Sequence, residues 1–225
     1  MERVRAIIIT ALLISFNGTA AGTGYTEESD PWARWDEATV RMLHTAANIP
    51  YKNEEEKKVV LFMNMARHNG PLFAETFLDA YVEQNQVKRS SELRSLYRDL
   101  KKSSGLSPLV PMKDLSAIAQ QHATLMGESG RTGHQRFKQR FEPLMGNPYL
   151  HVGENCSYGY FDAIDIVITL LIDQGVRDLG HRKNILNEGF NAVGVAIRPH
   201  KNYRVNCVID YGAVKPSGDL NDLPY

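Results

Sequence analysis

Cysteine is scarce in this chain, with 2 in 225 residues, and neither belongs to a Cys-x-x-Cys word. That excludes a disulfide-dense miniprotein and argues against a sulfur-ligated zinc centre. Charge of one sign is also lacking, because 26 Lys and Arg stand against 26 Asp and Glu with no run of five or six like charges. A nucleic acid or an anionic membrane needs a basic footprint, so neither is expected as partner. There is no internal repeat, no His-Glu-x-x-His and no Gly-x-Ser-x-Gly around Ser157. Those absences remove a solenoid, a single-helix zinc protease and a serine-hydrolase elbow.

What is present is an ordinary globular composition, 43% hydrophobic and 23% charged, enough for one sizeable core. The start differs in kind. Basic residues in 1–5, an apolar run over 6–14 and the small-residue stretch Asn17-Gly18-Thr19-Ala20-Ala21-Gly22 read as a secretory signal peptide over 1–21. The apolar run is short for a bilayer span. The mature chain is therefore expected without a transmembrane anchor, secreted or in the periplasm or cell envelope. In an oxidising compartment Cys156 and Cys207 are compatible with one disulfide and equally with two buried thiols.

Residues 22–52 read as a polar lead-in, 53–214 as a single domain and 215–225 as a tail. Asn53 and Glu56 have the spacing of a capping box, so a helix starts there and stops at Gly70-Pro71. Helical periodicity continues over Pro71 to Glu83 and after Ser90-Ser91, making 71–105 a helical segment of its own. Leu115, Ile118, Ala119, His122, Ala123 and Met126 form one apolar stripe, on which His122 reads as a hydrogen-bonded core histidine outside the site. Residues 152–158 read as a strand, Asp162 as the cap of a buried apolar helix, and 192–197 with 203–211 as a β-hairpin. Helices around three or more short strands without a βαβ rhythm make an α+β layered domain.

Groups able to bind cations or move protons gather at junctions between these elements: His134 after a glycine turn, Glu154 in Gly153-Glu154-Asn155, Asp173 at a helix end, and His181 after Gly180. Two imidazoles can hold a divalent cation while a nearby carboxylate orients a ring or takes a proton. Structural roles stand beside each: Glu154 as a backbone acceptor, His181 as a cap of a short helix near Arg182, His134 as a solvated loop residue. Asp173 is uncomfortable at a helix C-terminus unless it meets a donor such as Arg177 or His181. Tyr158 and Tyr160 are either a stacking surface or core packing.

The order of these words, with Asn64 to Arg67, Leu115 to Ala123, Gly180-His181-Arg182-Lys183-Asn184-Ile185-Leu186 and Asp210-Tyr211-Gly212, resembles the CAP superfamily of cysteine-rich secretory, antigen 5 and pathogenesis-related proteins. The resemblance covers about residues 55 to 212. It implies a three-layer α-β-α sandwich with a small antiparallel sheet, to which 71–105 adds a helical insertion, and a cleft lined by two histidines and two acids. Carried over, His134 and His181 are the metal ligands, and His134, Glu154, Asp173 and His181 the ligand-binding set. Asp173 stands where the family's second acid is usually a glutamate in the helix before. The cation implied is zinc, with magnesium and calcium as the other choices, and the partner is a lipid, a glycan or a protein. The function expected is a non-enzymatic binding module of the SCP type. The rivals are a metal-dependent hydrolase with Glu154 and Asp173 as its catalytic acids and an inert structural or adhesive domain. With the family's rich disulfide set missing, a Cys156–Cys207 pair would be this chain's own solution.

Overall fold

The computed structural model describes residues 30–50, 52–146 and 148–214. The expected signal peptide and the tail from 215 onwards lie outside them. Residues 30–33 belong to a short separate unit, in which the Trp32 N–H donates to Asp30 Oδ1 at 2.9 Å. The main body begins at Arg34.

Its helices are α1 (Glu37–Leu43), α2 (Glu54–His68), α3 (Gly70–Phe73), α4 (Asp79–Gln84), α5 (Ser91–Lys102), α6 (Lys113–Ser129), α7 (Phe137–Phe141), α8 (Ala163–Ile172) and α9 (Gly180–Ile185). A π-helical turn, Ala74–Leu78, joins α3 to α4. The strands are β1 (Val110–Pro111), β2 (Tyr149–Tyr158), β3 (Ala192–His200) and β4 (Arg204–Val214), in the order β1-β3-β4-β2. β3 and β4 form the expected hairpin, and β2 returns antiparallel to β4. The two-residue β1 alone runs parallel, against β3. α1 lies inside the stretch read as a lead-in, and its Leu43 is fully buried.

The sheet is covered on both faces, which gives the α-β-α sandwich. On one face lies α6. Its backbone approaches so closely that a Cβ added at Gly194 would stand 2.2 Å from the Leu115 carbonyl carbon, so only glycine fits there. On the other face lie α2, α8 and α9; there the Tyr211 hydroxyl donates to Met63 Sδ of α2 at 3.4 Å.

Local chemistry sets several of these elements. Asn53 Oδ1 accepts from the Glu56 N–H (2.8 Å) while Glu56 Oε2 accepts from the Asn53 N–H (3.1 Å), the reciprocal box read from the spacing. α8 differs from expectation: Asp162 occupies the cap position without a side-chain bond, and Glu55 of α2 takes the Ala163 N–H at 2.8 Å instead. Asn64 and Arg67 prove to be scaffold residues. Asn64 bonds the Leu43 and Leu109 carbonyls and the Leu109 N–H, and the Arg67 guanidinium donates to the carbonyls of Ser107, Ile185, Asn187 and Phe190. Buried loop carbonyls that would otherwise lack donors are thereby satisfied.

The disulfide alternative fails on register. Cys156 pairs with Val208 and Ser157 with Cys207, so the two sulfurs lie on opposite faces of the sheet, and both are free and buried.

Candidate functional site

Glu154 sits in the middle of β2 on the α6 face, and its side chain is 1% exposed. Three donors converge on it. His134 Nδ1 lies 2.8 Å from Oε1, and Arg140 of α7 forks onto both oxygens at 2.7 and 2.9 Å. Arg140 is held flat by Phe137 and Phe141, whose ring centroids lie 6.0 and 5.6 Å from its guanidinium carbon. Burial alone would raise the Glu154 pKa, but the bonds from His134 and Arg140 and the charge of Arg140 outweigh it and hold the group at about 2. At neutral pH it is a fixed carboxylate.

A carboxylate can only accept, so the His134 proton bonded to it is on Nδ1, and the neutral ring keeps its lone pair on Nε2. The His134 side chain is 48% exposed. The glycine turn before it is pinned from inside: the Gly133 N–H donates to the Tyr158 hydroxyl at 2.8 Å, and the Gly133 carbonyl accepts from His122 Nε2 at 2.9 Å. Tyr158 thus packs inward, while Tyr160 is exposed.

Asp173 and His181 repeat the arrangement. Asp173 ends α8 in the left-handed conformation (φ 58°), which turns its short side chain toward the start of α9. Its Oδ2 accepts from the N–H groups of His181 (2.9 Å) and Arg182 (3.2 Å), and its Oδ1 lies 2.7 Å from His181 Nδ1. The donor that this acid needed is therefore His181. The carboxylate is fully buried and the imidazole 24% exposed.

The four residues singled out in the sequence form two carboxylate–histidine pairs. Among the described residues no hydrogen bond or ion pair joins them directly. The link runs through β2: Asn155 Nδ2 donates to the His181 carbonyl (3.0 Å), and Asn184 Nδ2 donates to Asn155 Oδ1 (2.8 Å).

Sequence reasoning missed Arg140, Asp210 and the proximity of His122 to Glu154. His122 is a buried, hydrogen-bonded histidine as read, yet its Nε2 is only 3.8 Å from Glu154 Oε1. Cys156 Sγ, on the strand face that Glu154 occupies, lies 3.8 Å from His134 Nδ1. The donor atoms of His122, Glu154 and Cys156 all lie within 4.8 Å of one another, a group of a size that could hold a metal ion. As arranged, those donors are spent: His122 Nε2 gives its proton to Gly133, Glu154 is forked by Arg140, and burial pushes the Cys156 thiol well up.

The sequence pattern of the cysteine-rich secretory protein family, CAP, matches residues 85–211. No curated protein sequence matches the chain. Among solved structures, venom allergen-like protein 4 of Schistosoma mansoni is similar at 14% identity over 77% of this chain and 95% of that one, with a TM-score of 0.46. An outer surface protein from Borrelia burgdorferi is 18% identical over 57% of this chain and 97% of that one, with a TM-score of 0.42. An extracellular protein containing a SCP domain from Bacillus anthracis is 20% identical over 53% of this chain but only 39% of its own, with a TM-score of 0.40.

Proposed function

The chain belongs to the cysteine-rich secretory protein (CAP) family, and from that premise we propose an exported binding module in which His134 and His181 offer their Nε2 atoms to a divalent cation, with a ligand held beside it. Export rests on the leader-like pattern over 1–21. Among the described residues no helix is long and apolar enough to cross a membrane.

The observation that carries the reading is the repeated pair. In each, a buried carboxylate accepts from Nδ1 of a partly exposed imidazole, and Nε2 has no hydrogen-bond partner among the described residues. Orientation by a carboxylate fixes the tautomer and raises the basicity of the free nitrogen, the usual support of a metal-bound histidine. Imidazole donors favour zinc over magnesium or calcium. In this reading Glu154 and Asp173 are positioning groups. A cation there supplies a positive centre for an oxygen of the ligand.

Binding is favoured over hydrolysis by the state of Glu154. A general base must be able to take a proton near neutral pH, and a carboxylate held at about 2 with an arginine forked onto it is a poor one. An open groove of about 510 Å³ is lined by Phe137, Phe141, Met145 and Val152 together with Lys138, Gln139 and Glu142, a mixed surface that suits a lipid, a glycan or a protein alike.

The test is a thermal-unfolding titration of the metal-stripped mature protein with zinc, magnesium and calcium. Zinc at 100 times its Kd stabilises by about 2.7 kcal/mol through linkage. The expected result is a rise in Tm with zinc that His134→Ala and His181→Ala each diminish. No shift with any ion, or a shift that both variants retain, contradicts the reading.

A further inference from the structure

Asp210 is the buried acid that this reading leaves unused. It stands on β4 directly opposite Glu154, with Gly194 of β3 as its neighbour on the other side. The α6 backbone closes over Gly194, and Asp210 is 0% exposed. Neither of its oxygens meets a donor among the described residues. The charged and titratable groups around it are already committed. On β2, Glu154 is an anion and Cys156 a buried thiol; on α7, Arg140 spends its fork on Glu154. On α6, His122 gives its Nε2 proton to Gly133, and His134 in the loop turns its Nδ1 proton to Glu154. On β4 itself, Cys207 and Tyr211 face the other side of the sheet.

The lone pairs of Glu154 point the same way. A carboxylate offers about four acceptor positions. His134 fills one and Arg140 two. One guanidinium also neutralises only one of the two facing carboxyls.

We infer that Asp210 is a neutral carboxylic acid whose O–H donates to Glu154, so that β2 and β4 hold two carboxyls and one proton behind His134. The proton removes the repulsion between the facing acids and fills the remaining acceptor position of Glu154. Burial first, then the charge and hydrogen bond of Glu154, push the Asp210 pKa well above the usual carboxylate range, in keeping with that geometry. Asp210 is thereby a positioning residue for the Glu154–His134 pair. Only that last consequence concerns the proposed cation site; the protonation itself stands whether or not a metal binds.

The experiment is infrared difference spectroscopy of metal-stripped protein at neutral pH, wild type against Asp210→Asn. The expected result is a protonated-carboxyl C=O band in the wild type that the variant lacks. No such band, or one that survives in Asp210→Asn, overturns the inference. For positioning, the Nδ1-protonated tautomer of His134, followed by nitrogen NMR of the ring, is kept in Asp210→Asn, whose amide also donates. In Asp210→Leu it gives way to a mixture of tautomers. Retention of the single tautomer in the folded Leu variant overturns the positioning role. Neither readout depends on zinc, so failure here is distinct from failure of the cation reading.

Discussion

Arg140 decides what Glu154 can do. Without it, a buried carboxylate beside His122 and His134 would be a candidate base; with it, the acid is an anion and an anchor. Glu154→Gln leaves the guanidinium buried and unpaired, so a loss of about 3 kcal/mol is expected in urea unfolding at neutral pH. The sign of the pH dependence follows from the depressed pKa. The folded value of about 2 lies below the ordinary 4.5, so the stabilisation is complete above about 4.5 and is lost as pH falls toward 2. Unfolding midpoints measured from pH 6 to pH 2 should fall less steeply in Glu154→Gln than in the wild type. Asp210 has the opposite sign: its folded pKa is raised, so it costs stability as pH rises above its unfolded value, and Asp210→Asn should gain on the wild type toward alkaline pH. His134, Asp173 and His181 were legible as candidates because each stands beside a turn or a helix end, where side chains reach out of the local element, and Glu154, which lies mid-strand, because of its Gly-Glu-Asn word. Arg140 and Asp210 were not. Arg140 acts through a partner 14 residues away, and Asp210 through a cross-strand register that a single sequence does not fix.

Elements show the same division between local and distant causes. The capping box of α2 lies within four residues and could be read directly. The cap of α8 comes from Glu55, 108 residues earlier, and could not. Glu55→Ala should cost about 1 kcal/mol, read in thermal unfolding, whereas Asp162→Ala should cost less, since Asp162 makes no side-chain cap bond. Packing of α6 on the sheet depends on Gly194, where an added Cβ meets the Leu115 and Ser116 backbone at 2.2 to 2.5 Å. Backbone cannot move aside as a flexible side chain can. Gly194→Ala is expected to destabilise by about 2–3 kcal/mol in urea unfolding. Because α6 carries His122 and covers Asp210, the same change should loosen the interior behind His134.

Across the whole molecule, α5 braces the domain where α8 meets α9. Arg182 is 2% exposed and donates to the Leu171 and Ile172 carbonyls at the end of α8, and to the Glu92 carbonyl, Ser95 Oγ and Asp99 Oδ2 of α5. Five donors find five acceptors, so α5 is tied to the residue next to His181. An α+β layered domain was legible from periodicity and the three-layer order from family resemblance alone; this tie was not, since nothing local to Arg182 announces Asp99. The fate of the cysteines is also a whole-sheet property, set by which face each strand position takes. Thiol titration of the unfolded protein, purified without reductant, should count two free thiols, and a reductant should leave Tm unchanged. The central claim is that buried carboxylates hold His134 and His181 with the proton on Nδ1 and with Nε2 free for a cation. Two-bond proton–nitrogen NMR of the histidine rings during a zinc titration tests it most directly. The account predicts Nδ1-protonated rings at both positions and zinc-dependent shifts at both Nε2 atoms. Nε2-protonated rings, or rings that ignore zinc, would contradict it.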